Sequence, residues 1–221
     1  MGLSRERIVA AAVALADRDS MAELSMRRIA AALNVATMSL YRHVPSRDDL
    51  VIDMIDAALG ELRVPPRYRG DWRADLERCA RSLWEVFQRH PWLAPSMSMT
   101  RPQPAPNALR FGEWMMGALH PTGLTVTDRM LVQLLLFGFV RGVASNLEPE
   151  AEAVRDTGLT DEEWLETQSR AFERFATQHP APHYEQLFRL DSDFEFDLGV
   201  LFEFGLARFL DGIGVWISSR R

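Results

Sequence analysis

The sequence predicts an all-α protein with a small N-terminal helix-turn-helix domain and a larger C-terminal helical domain. Apolar residues recur at helical spacing along the 221 residues, and no segment alternates convincingly as a strand. The content of 47% hydrophobic and 25% charged residues is typical of a packed core. Residues 63–71 hold two prolines and Gly70, which cannot continue a helix. We therefore expect a domain of residues 1–62 and another of residues 63–221.

The N-terminal domain is predicted to contain four helices, each with a local start or stop signal. Residues 4–17 form an amphipathic pattern that Ser4 can cap, and Ser25 can cap a second helix that Asn34 ends. A third, short helix is predicted from about residue 36 to residue 44, where Pro45 stops it. Ser46 and the acidic residue three places later suit the start of a fourth helix over residues 47–62.

The third helix carries the pattern that bears most directly on function. Ala36, Leu40 and Val44 point towards a core, and the remaining positions form a face of hydrogen-bonding, basic and aromatic groups: Thr37, Met38, Ser39, Tyr41, Arg42 and His43. A helix fits the major groove of DNA, where such groups can contact base edges and phosphates. The net charge is −6, but residues 1–47 hold seven arginines against four acidic residues, 7 − 4 = +3, which leaves −9 elsewhere. We therefore predict a DNA-reading helix on a locally basic surface.

The C-terminal domain is predicted to be a bundle of long helices. Helices are expected over residues 71–90, 107–119, 125–147, 161–178 and 194–216. A loop is expected over residues 101–106, a polar mobile loop over 148–160 and a connector over 180–193. The apolar stretch of residues 130–140 is too short to span a bilayer and predicts a buried helix.

The last predicted helix is apolar on too many sides to have a single packed face. A helix that is apolar all round must be buried all round, and its own copy is the simplest partner. Gly199 and Gly205 would permit close approach of another helix. We expect a homodimer whose four-helix interface combines this helix with residues 125–145 and contains Phe202, Leu206 and Phe209.

Large apolar side chains crowd residues 74–140. Such a cluster is typical of a hydrophobic core, and it is also compatible with a ligand chamber between helices. Six polar residues could orient a ligand in such a chamber: Gln88, His90, Thr100, Arg110, Gln133 and Arg141.

Two motifs in the N-terminal domain resemble the TetR family of one-component transcriptional repressors. They are LSMRRIAAALNV and LYRHVPSRDDL, of which Leu40, Tyr41, His43 and Val44 are the most specific part. The C-terminal part is similar to the subgroup of the tetracycline repressor, through Thr100-Arg101-Pro102 and the segment FEFGLARFLDGI at residues 202–213. The resemblance covers nearly the whole chain, most strongly residues 4–62.

The resemblance implies a repressor that binds a palindromic double-stranded operator as a homodimer and leaves it when a small effector binds. It implies that Arg27, Thr37, Met38, Ser39 and Arg42 face base edges, and that Ser25, Tyr41, His43 and Arg47 hold phosphates. It also favours the ligand chamber, with an apolar or amphipathic effector contacting Trp84, Phe87, Met97, Thr100, Phe111, Trp114, Met115 and Phe137.

One departure from the subgroup bears on the effector. Tetracycline repressors carry a histidine three residues before Thr-Arg-Pro that helps to hold a magnesium–tetracycline chelate, and this chain has Met97 there. A thioether is a poor ligand for a hard cation. We therefore expect neither a metal nor another cofactor, and a natural effector other than magnesium–tetracycline.

Other functional classes find little support in the sequence. There is no G-x-S-x-G, phosphate-binding loop or H-E-x-x-H motif, and the five histidines (residues 43, 90, 120, 179 and 183) lack metal-ligand spacing, so an enzyme is not expected. The single cysteine, Cys79, and the lack of a signal-peptide pattern at the start suit the cytoplasm. The remaining alternative is a helical interaction module without sequence-specific DNA binding.

Overall fold

The computed structural model describes residues 2–64, 67–178 and 197–220, and within these ranges every regular element is a helix. The α-helices are α1 (Arg5–Asp19), α2 (Met26–Ala32), α3 (Thr37–Tyr41), α4 (Arg47–Leu59), α5 (Trp72–Arg89), α6 (Leu93–Ser96), α7 (Pro106–Ala118), α8 (Val126–Ala144), α9 (Leu147–Thr157), α10 (Asp161–Gln178) and α11 (Leu198–Ser218). A 3₁₀ turn covers His120–Thr122. Residues 65–66, where the prolines predict a break between the two domains, and the predicted connector at residues 180–193 lie outside the described residues.

The helices of the N-terminal part begin where the sequence predicts caps. The hydroxyls of Ser4, Ser25 and Ser46 accept hydrogen bonds from the backbone N–H groups three residues ahead, at 3.3, 3.3 and 3.0 Å. Each bond satisfies one of the free donors of a first helical turn. Asn34 ends α2 in the left-handed conformation, with φ of 53°. Helix α1 packs on α2 and α4, and α2 packs on α3.

The reading helix is shorter than the sequence predicts. Helix α3 covers only Thr37–Tyr41, and the chain leaves it in a turn rather than continuing to residue 44. The amides of His43 and Val44 still bond to the carbonyl of Leu40, at 2.9 Å each. Leu40 and Val44 are fully buried as expected, so their directions survive the early end of the helix. Ala36 was expected on the same face, but it is exposed because it lies just before α3 begins.

The remaining helices form the larger part of the molecule around α5 and α8. Helix α5 packs against α7, α8 and α11, and α4 packs against α5, α6 and α7. The prediction of a mobile loop at residues 148–160 is wrong, because α9 occupies most of it. None of its residues is fully buried, and Leu147, Ala151 and Val154 form only a short apolar stripe among acidic residues and Pro149. Glu148 and Glu150 stabilise the positive end of its dipole.

Helix α11 buries one face in the core of its own subunit and exposes another face on the subunit's surface. Phe202 and Leu206 are each 1% exposed, and the Phe202 ring stacks on Trp84 with centroids 4.8 Å apart. The expectation that these two residues form the dimer contact is therefore wrong, because they pack into their own subunit's core. Phe209 is half-buried and stacks on Phe139 of α8.

Gly205 allows α11 to lie close to α8 within one subunit. A Cβ atom at this position would lie 2.5 Å from Cε2 of Phe139, which no real structure tolerates without movement. The small residue at position 205 is therefore explained by the close packing of α11 on α8 within the subunit.

Helix α8 is buried on one side only, which corrects the expectation of a fully buried helix. Its outer side exposes Val126, Met130, Leu131, Leu134 and Leu135. An 18-residue window within Val126–Thr157 is apolar and long enough, by length and composition alone, to cross a membrane, and 28% of that window is buried inside the protein. Because α8 packs on α5, α7 and α11, it is built as a core helix with one free apolar face.

Candidate functional site

The side chains predicted to contact DNA gather on one surface around α3. Met38 is 74% exposed and Tyr41 is 40% exposed, so both side chains are accessible to a partner. Thr37, Ser39 and His43 are half-buried on the same segment. Because the side chains of Leu40 and Val44 are buried in the core, the other side chains of this short segment lie on its outer face.

Six of the seven arginines in residues 1–47 fall into two groups, and the seventh, Arg7, donates to the carbonyl of Gly2 at 2.7 Å. Arg5 forms an ion pair with Asp53 at 2.6 Å. Asp19 forms ion pairs with both Arg18 and Arg28, at 2.7 and 2.6 Å. The guanidinium groups of this first group are therefore already paired with carboxylates of α1 and α4.

The second group of arginines is available for a ligand. Arg27, Arg42 and Arg47 are exposed, and among the described residues none of them forms an ion pair or a side-chain hydrogen bond. These three are the arginines that the resemblance assigns to DNA. Free guanidinium groups beside an exposed polar helix suit guanine edges and phosphates.

A cavity of about 650 Å³ lies between α4, α5, α7, α8 and the loop before α7. Its volume suits a small organic molecule of several rings. Its lining is almost entirely apolar, with Ser98, Gln103 and Gln133 as the polar exceptions. The lining residues are Ile55, Leu59, Leu83, Met97, Ser98, Met99, Pro102, Gln103, Pro104, Ala105, Pro106, Ala108, Leu109, Phe111, Gly112, Met115, Gln133, Leu134 and Phe137.

The structure brings half of the predicted effector residues to this cavity. Met97, Phe111, Met115 and Phe137 line it, whereas Trp84, Phe87, Trp114 and Thr100 do not. Trp84 and Phe87 are buried elsewhere in the core, and Trp114 lies against the ring of Tyr68 at 5.2 Å. Thr100 is exposed in the loop before α7.

Of the six polar residues predicted to orient a ligand, only Gln133 lies on the cavity. The Nε group of Arg141 donates to the carbonyl of Ala94 at 2.9 Å, and His90 contacts Asp17. Gln88, Thr100 and Arg110 are exposed away from it. The Oε1 atom of Gln133 is buried and has no hydrogen-bond partner among the described residues.

Sequence reasoning missed that α4 forms part of the cavity wall. Ile55 and Leu59 lie on it, together with the proline-rich loop at residues 102–106. The apolar spacing of α4 could indicate only that these residues face a core. It could not indicate which part of the core holds an empty space.

Several polar contacts tie the N-terminal helices to the larger part, and the first joins α4 to α7. Asn107 at the start of α7 donates its backbone N–H to Oδ1 of Asp56 at 2.7 Å. Its side-chain Nδ2 donates to the backbone carbonyl of Asp56 at 2.9 Å and to Oδ2 at 3.1 Å. The position of α4 is therefore linked to α7, which forms another wall of the cavity.

The second contact centres on His90, which caps the end of α5. Its Nδ1 lies 2.7 Å from Oδ1 of Asp17, which also accepts from Nε1 of Trp92 at 2.6 Å. Its Nε2 lies 3.2 Å from Oε1 of Glu61, at ion-pair distance but without hydrogen-bond geometry. Burial alone would lower the pKa of His90, but the two carboxylates outweigh it and raise the pKa above its ordinary value.

Two neighbouring helices expose apolar side chains side by side. Helix α8 presents the five residues named above, and the adjacent α11 presents Val200, Leu201, Phe204 and Val215. A monomer rarely leaves two packed helices with such faces in water. Among the described residues, no group of three or more His, Cys, Asp or Glu side chains could hold a metal ion.

Comparison with known families and proteins points to one class. The profile of bacterial regulatory proteins of the tetR family matches residues 8–54, and that of the tetracyclin repressor-like C-terminal domain matches residues 64–217. The chain is 36% identical over 220 residues to the HTH-type transcriptional repressor DrrR1 of Streptomyces coeruleorubidus, which covers 99% of this chain and 80% of that protein.

Solved structures agree with these matches. The fold is similar to that of the TetR family protein ActR of Streptomyces coelicolor in its apo form, with a TM-score of 0.77, 27% identity and full coverage of both chains. It is also similar to ActR in complex with actinorhodin, with a TM-score of 0.76, 28% identity, and coverage of 98% of this chain and 99% of the other.

Proposed function

The chain belongs to the TetR family of transcriptional regulators, and we propose that it represses transcription by binding a palindromic operator as a homodimer. A small apolar or amphipathic effector releases it from the DNA. In this proposal residues 1–62 bind DNA, and residues 63–221 bind the effector and form the dimer. The family is one of regulators rather than of enzymes, and a repressor of this kind acts on DNA in the bacterial cytoplasm.

The observation that carries the DNA-binding part is the contrast between the two groups of arginines. Ion pairs inside the protein occupy Arg5, Arg18 and Arg28, while Arg27 and Arg42 remain free beside the exposed face of α3. A free guanidinium on a reading helix can form two hydrogen bonds with a guanine. We assign base contacts to Arg27, Thr37, Met38, Ser39 and Arg42, and phosphate contacts to Ser25, Tyr41, His43 and Arg47.

The test measures binding to labelled DNA from upstream of the protein's own gene and to a scrambled duplex, by fluorescence anisotropy. Arg42→Ala should weaken operator binding by roughly 1–3 kcal/mol and reduce the preference over the scrambled duplex. Arg18→Ala is the control, because Arg18 is an exposed arginine of the same unit and pairs with Asp19. Equal losses on both duplexes for Arg42→Ala would contradict the base-contact assignment, and equal effects of the two variants would contradict the surface itself.

The exposed apolar faces of α8 and α11 support the dimer. We place the two-fold interface on Leu201 and Phe204 of α11 and on Met130, Leu131 and Leu135 of α8, all of which are exposed in the subunit. Two copies of two helices would form a four-helix interface, and a two-fold dimer matches the symmetry of a palindrome. The same pairing would cover the apolar face of α8.

The effector site is the cavity beside α4. Its apolar lining and volume suit a small apolar molecule, and ActR is a relative whose structure holds actinorhodin. Met97 lies on the lining at the position where tetracycline repressors have their magnesium-binding histidine. A thioether at this point favours an apolar ligand over a metal chelate.

The cavity wall supplies a route from the effector to the DNA. Ile55 and Leu59 of α4 line the cavity, and α4 packs on α1 beneath the reading helix. A ligand that fits the cavity better when α4 has moved will favour that state and separate or rotate the two reading helices. A coupling of about 1–3 kcal/mol is typical and would change operator affinity by roughly 5- to 150-fold.

This switch is tested by screening lipophilic small molecules for release of labelled operator. A releasing compound should bind more weakly to the operator-bound protein than to the free protein, by the same factor by which it weakens DNA binding. Leu59→Ala, which changes the wall contributed by α4, should alter this factor. A compound that binds the cavity with equal affinity in the presence and absence of DNA would contradict the switch.

A further inference from the structure

The exposed apolar residues of the cavity wall mark the mouth of the cavity. Leu59 and Phe111 belong to the inner wall and are buried in the core. Met99, Leu109 and Leu134 also line the cavity, but they are 43%, 76% and 38% exposed. These three side chains come from the loop before α7, from α7 and from α8. The cavity therefore opens to solvent where this loop meets the two helices.

Met99 reaches from the loop to α8 beside this mouth. A Cβ atom on Gly138 of α8 would lie 3.1 Å from Cε and 3.3 Å from Sδ of Met99, so the end of the thioether lies against the helix at this glycine. Gly138 is four residues after Leu134 and therefore lies one turn further along the same side of α8. The Met99 side chain thus covers the part of α8 that continues the mouth.

Van der Waals contact holds the Met99 side chain against α8. The loop around it has hydrogen bonds of its own, from the Arg101 amide to Oγ of Ser98 at 3.1 Å and from the Ala105 amide to the carbonyl of Gln103 at 2.8 Å. A methionine side chain is unbranched and has three rotatable bonds, so it changes conformation easily. The thioether can therefore leave Gly138 by rotation alone, while the hydrogen bonds of the loop and the turns of α8 stay in place.

We propose that Met99 gates the cavity, so that an effector enters and leaves when the thioether rotates away from Gly138. Rotation uncovers α8 by one further turn, which is about 5.4 Å along the helix axis. An aromatic ring needs about 3.5–4 Å between the surfaces that it passes, so the added opening is enough to admit a flat ligand. When the thioether returns to Gly138, it narrows the mouth behind the ligand and slows its exit. This inference rests on the proposed effector function of the cavity.

Stopped-flow fluorescence with N-phenyl-1-naphthylamine tests the gate in the full-length chain. This uncharged two-ring dye becomes fluorescent in apolar surroundings, so association and dissociation can both be timed. Met99→Ala removes the contacts that must be broken before entry and should raise the association rate constant roughly 5-fold. The dissociation rate constant should rise at least as much. Gly138→Ala pushes the thioether away from α8 without removing it and should also speed association, while alanine favours the helix.

Met97→Ala is the matched control, because Met97 lines the same cavity but is less exposed than Met99. Loss of a wall contact alone should speed dissociation of the dye and leave association unchanged. Association rate constants that stay at the wild-type value in both Met99→Ala and Gly138→Ala would overturn the gate and leave the effector cavity standing. If the dye does not bind the wild-type chain, the cavity is contradicted as an effector site and the gate falls with it.

Discussion

Truncation of Phe204 to alanine should dissociate the dimer and leave the fold of the subunit intact. Phe204 is 63% exposed on α11, next to the exposed Leu201, while Phe202 on the opposite face is 1% exposed. The two phenylalanines are two residues apart and therefore nearly opposite on the helix. Truncation of Phe204 should therefore weaken the dimer and spare the fold, whereas truncation of Phe202 should destabilise the fold of the subunit.

The size of the effect follows from the exposed area of the side chain. An aromatic side chain buries about 150–250 Å² when it is covered completely, so an exposed fraction of 63% leaves roughly 100–150 Å² to the partner. At ~25 cal/mol per Å², removal of the ring costs about 2.5–4 kcal/mol per copy and roughly 5–7 kcal/mol for a dimer. The dissociation constant should therefore rise by roughly 4000-fold or more.

Sedimentation velocity over a range of concentrations measures this shift. Phe175→Ala is the matched control, because Phe175 is 64% exposed on α10, outside the proposed interface, and should leave the dimer unchanged. Phe202→Ala should instead lower the free energy of unfolding by about 3–5 kcal/mol, because it removes a core ring stacked on Trp84. An unchanged dissociation constant for Phe204→Ala would refute the placement of the interface on this face of α11.

Two further predictions concern the contacts between the N-terminal helices and the larger part. Because Asp17 and Glu61 raise the pKa of His90 above 6.5, the stability from protonated His90 is complete below that pH and is lost as the pH rises through the folded-state pKa. Urea unfolding from about pH 6 to about pH 9 should therefore show a larger loss for the wild-type chain than for His90→Gln, and parallel pH profiles would count against this contact. Asn107→Ala removes two hydrogen bonds to Asp56 and should lower the free energy of unfolding by roughly 1–3 kcal/mol. It should also weaken ligand-induced release of DNA, and release that stays unchanged would show that this contact is not part of the switch.

The N-terminal helices could be predicted from the sequence because their signals are local. Ser4, Ser25 and Ser46 each bond to an amide three residues ahead, and Asn34 takes the conformation that its side chain tolerates. The early end of α3 could not be predicted, because the turn after residue 41 depends on packing against neighbouring helices. Helix α9 was missed because its apolar stripe is short and lies among acidic residues and Pro149, a composition that also suits a loop.

The faces of α11 and the walls of the cavity could not be predicted because they depend on tertiary packing. When a helix is apolar on all sides, its sequence does not show which residues pack inside the subunit. Phe202 and Phe204 therefore could not be told apart from the sequence. The helical spacing of aromatic residues such as Trp84 is the same whether they fill the core or line a cavity, so the sequence does not distinguish the two. Gln133 was one of six polar candidates, and only the packing of α8 beside the cavity distinguishes it.

Selection of binding sites from a random DNA library by the purified full-length chain tests the central claim most directly. We expect enrichment of an inverted repeat whose half-site centres lie roughly 34–36 Å apart, which is one turn of the double helix. Selection with Arg42→Ala should relax the base preference at one position of each half-site while the spacing is kept. Failure of the wild-type chain to enrich any sequence, or enrichment of sites without two-fold symmetry, would contradict the account.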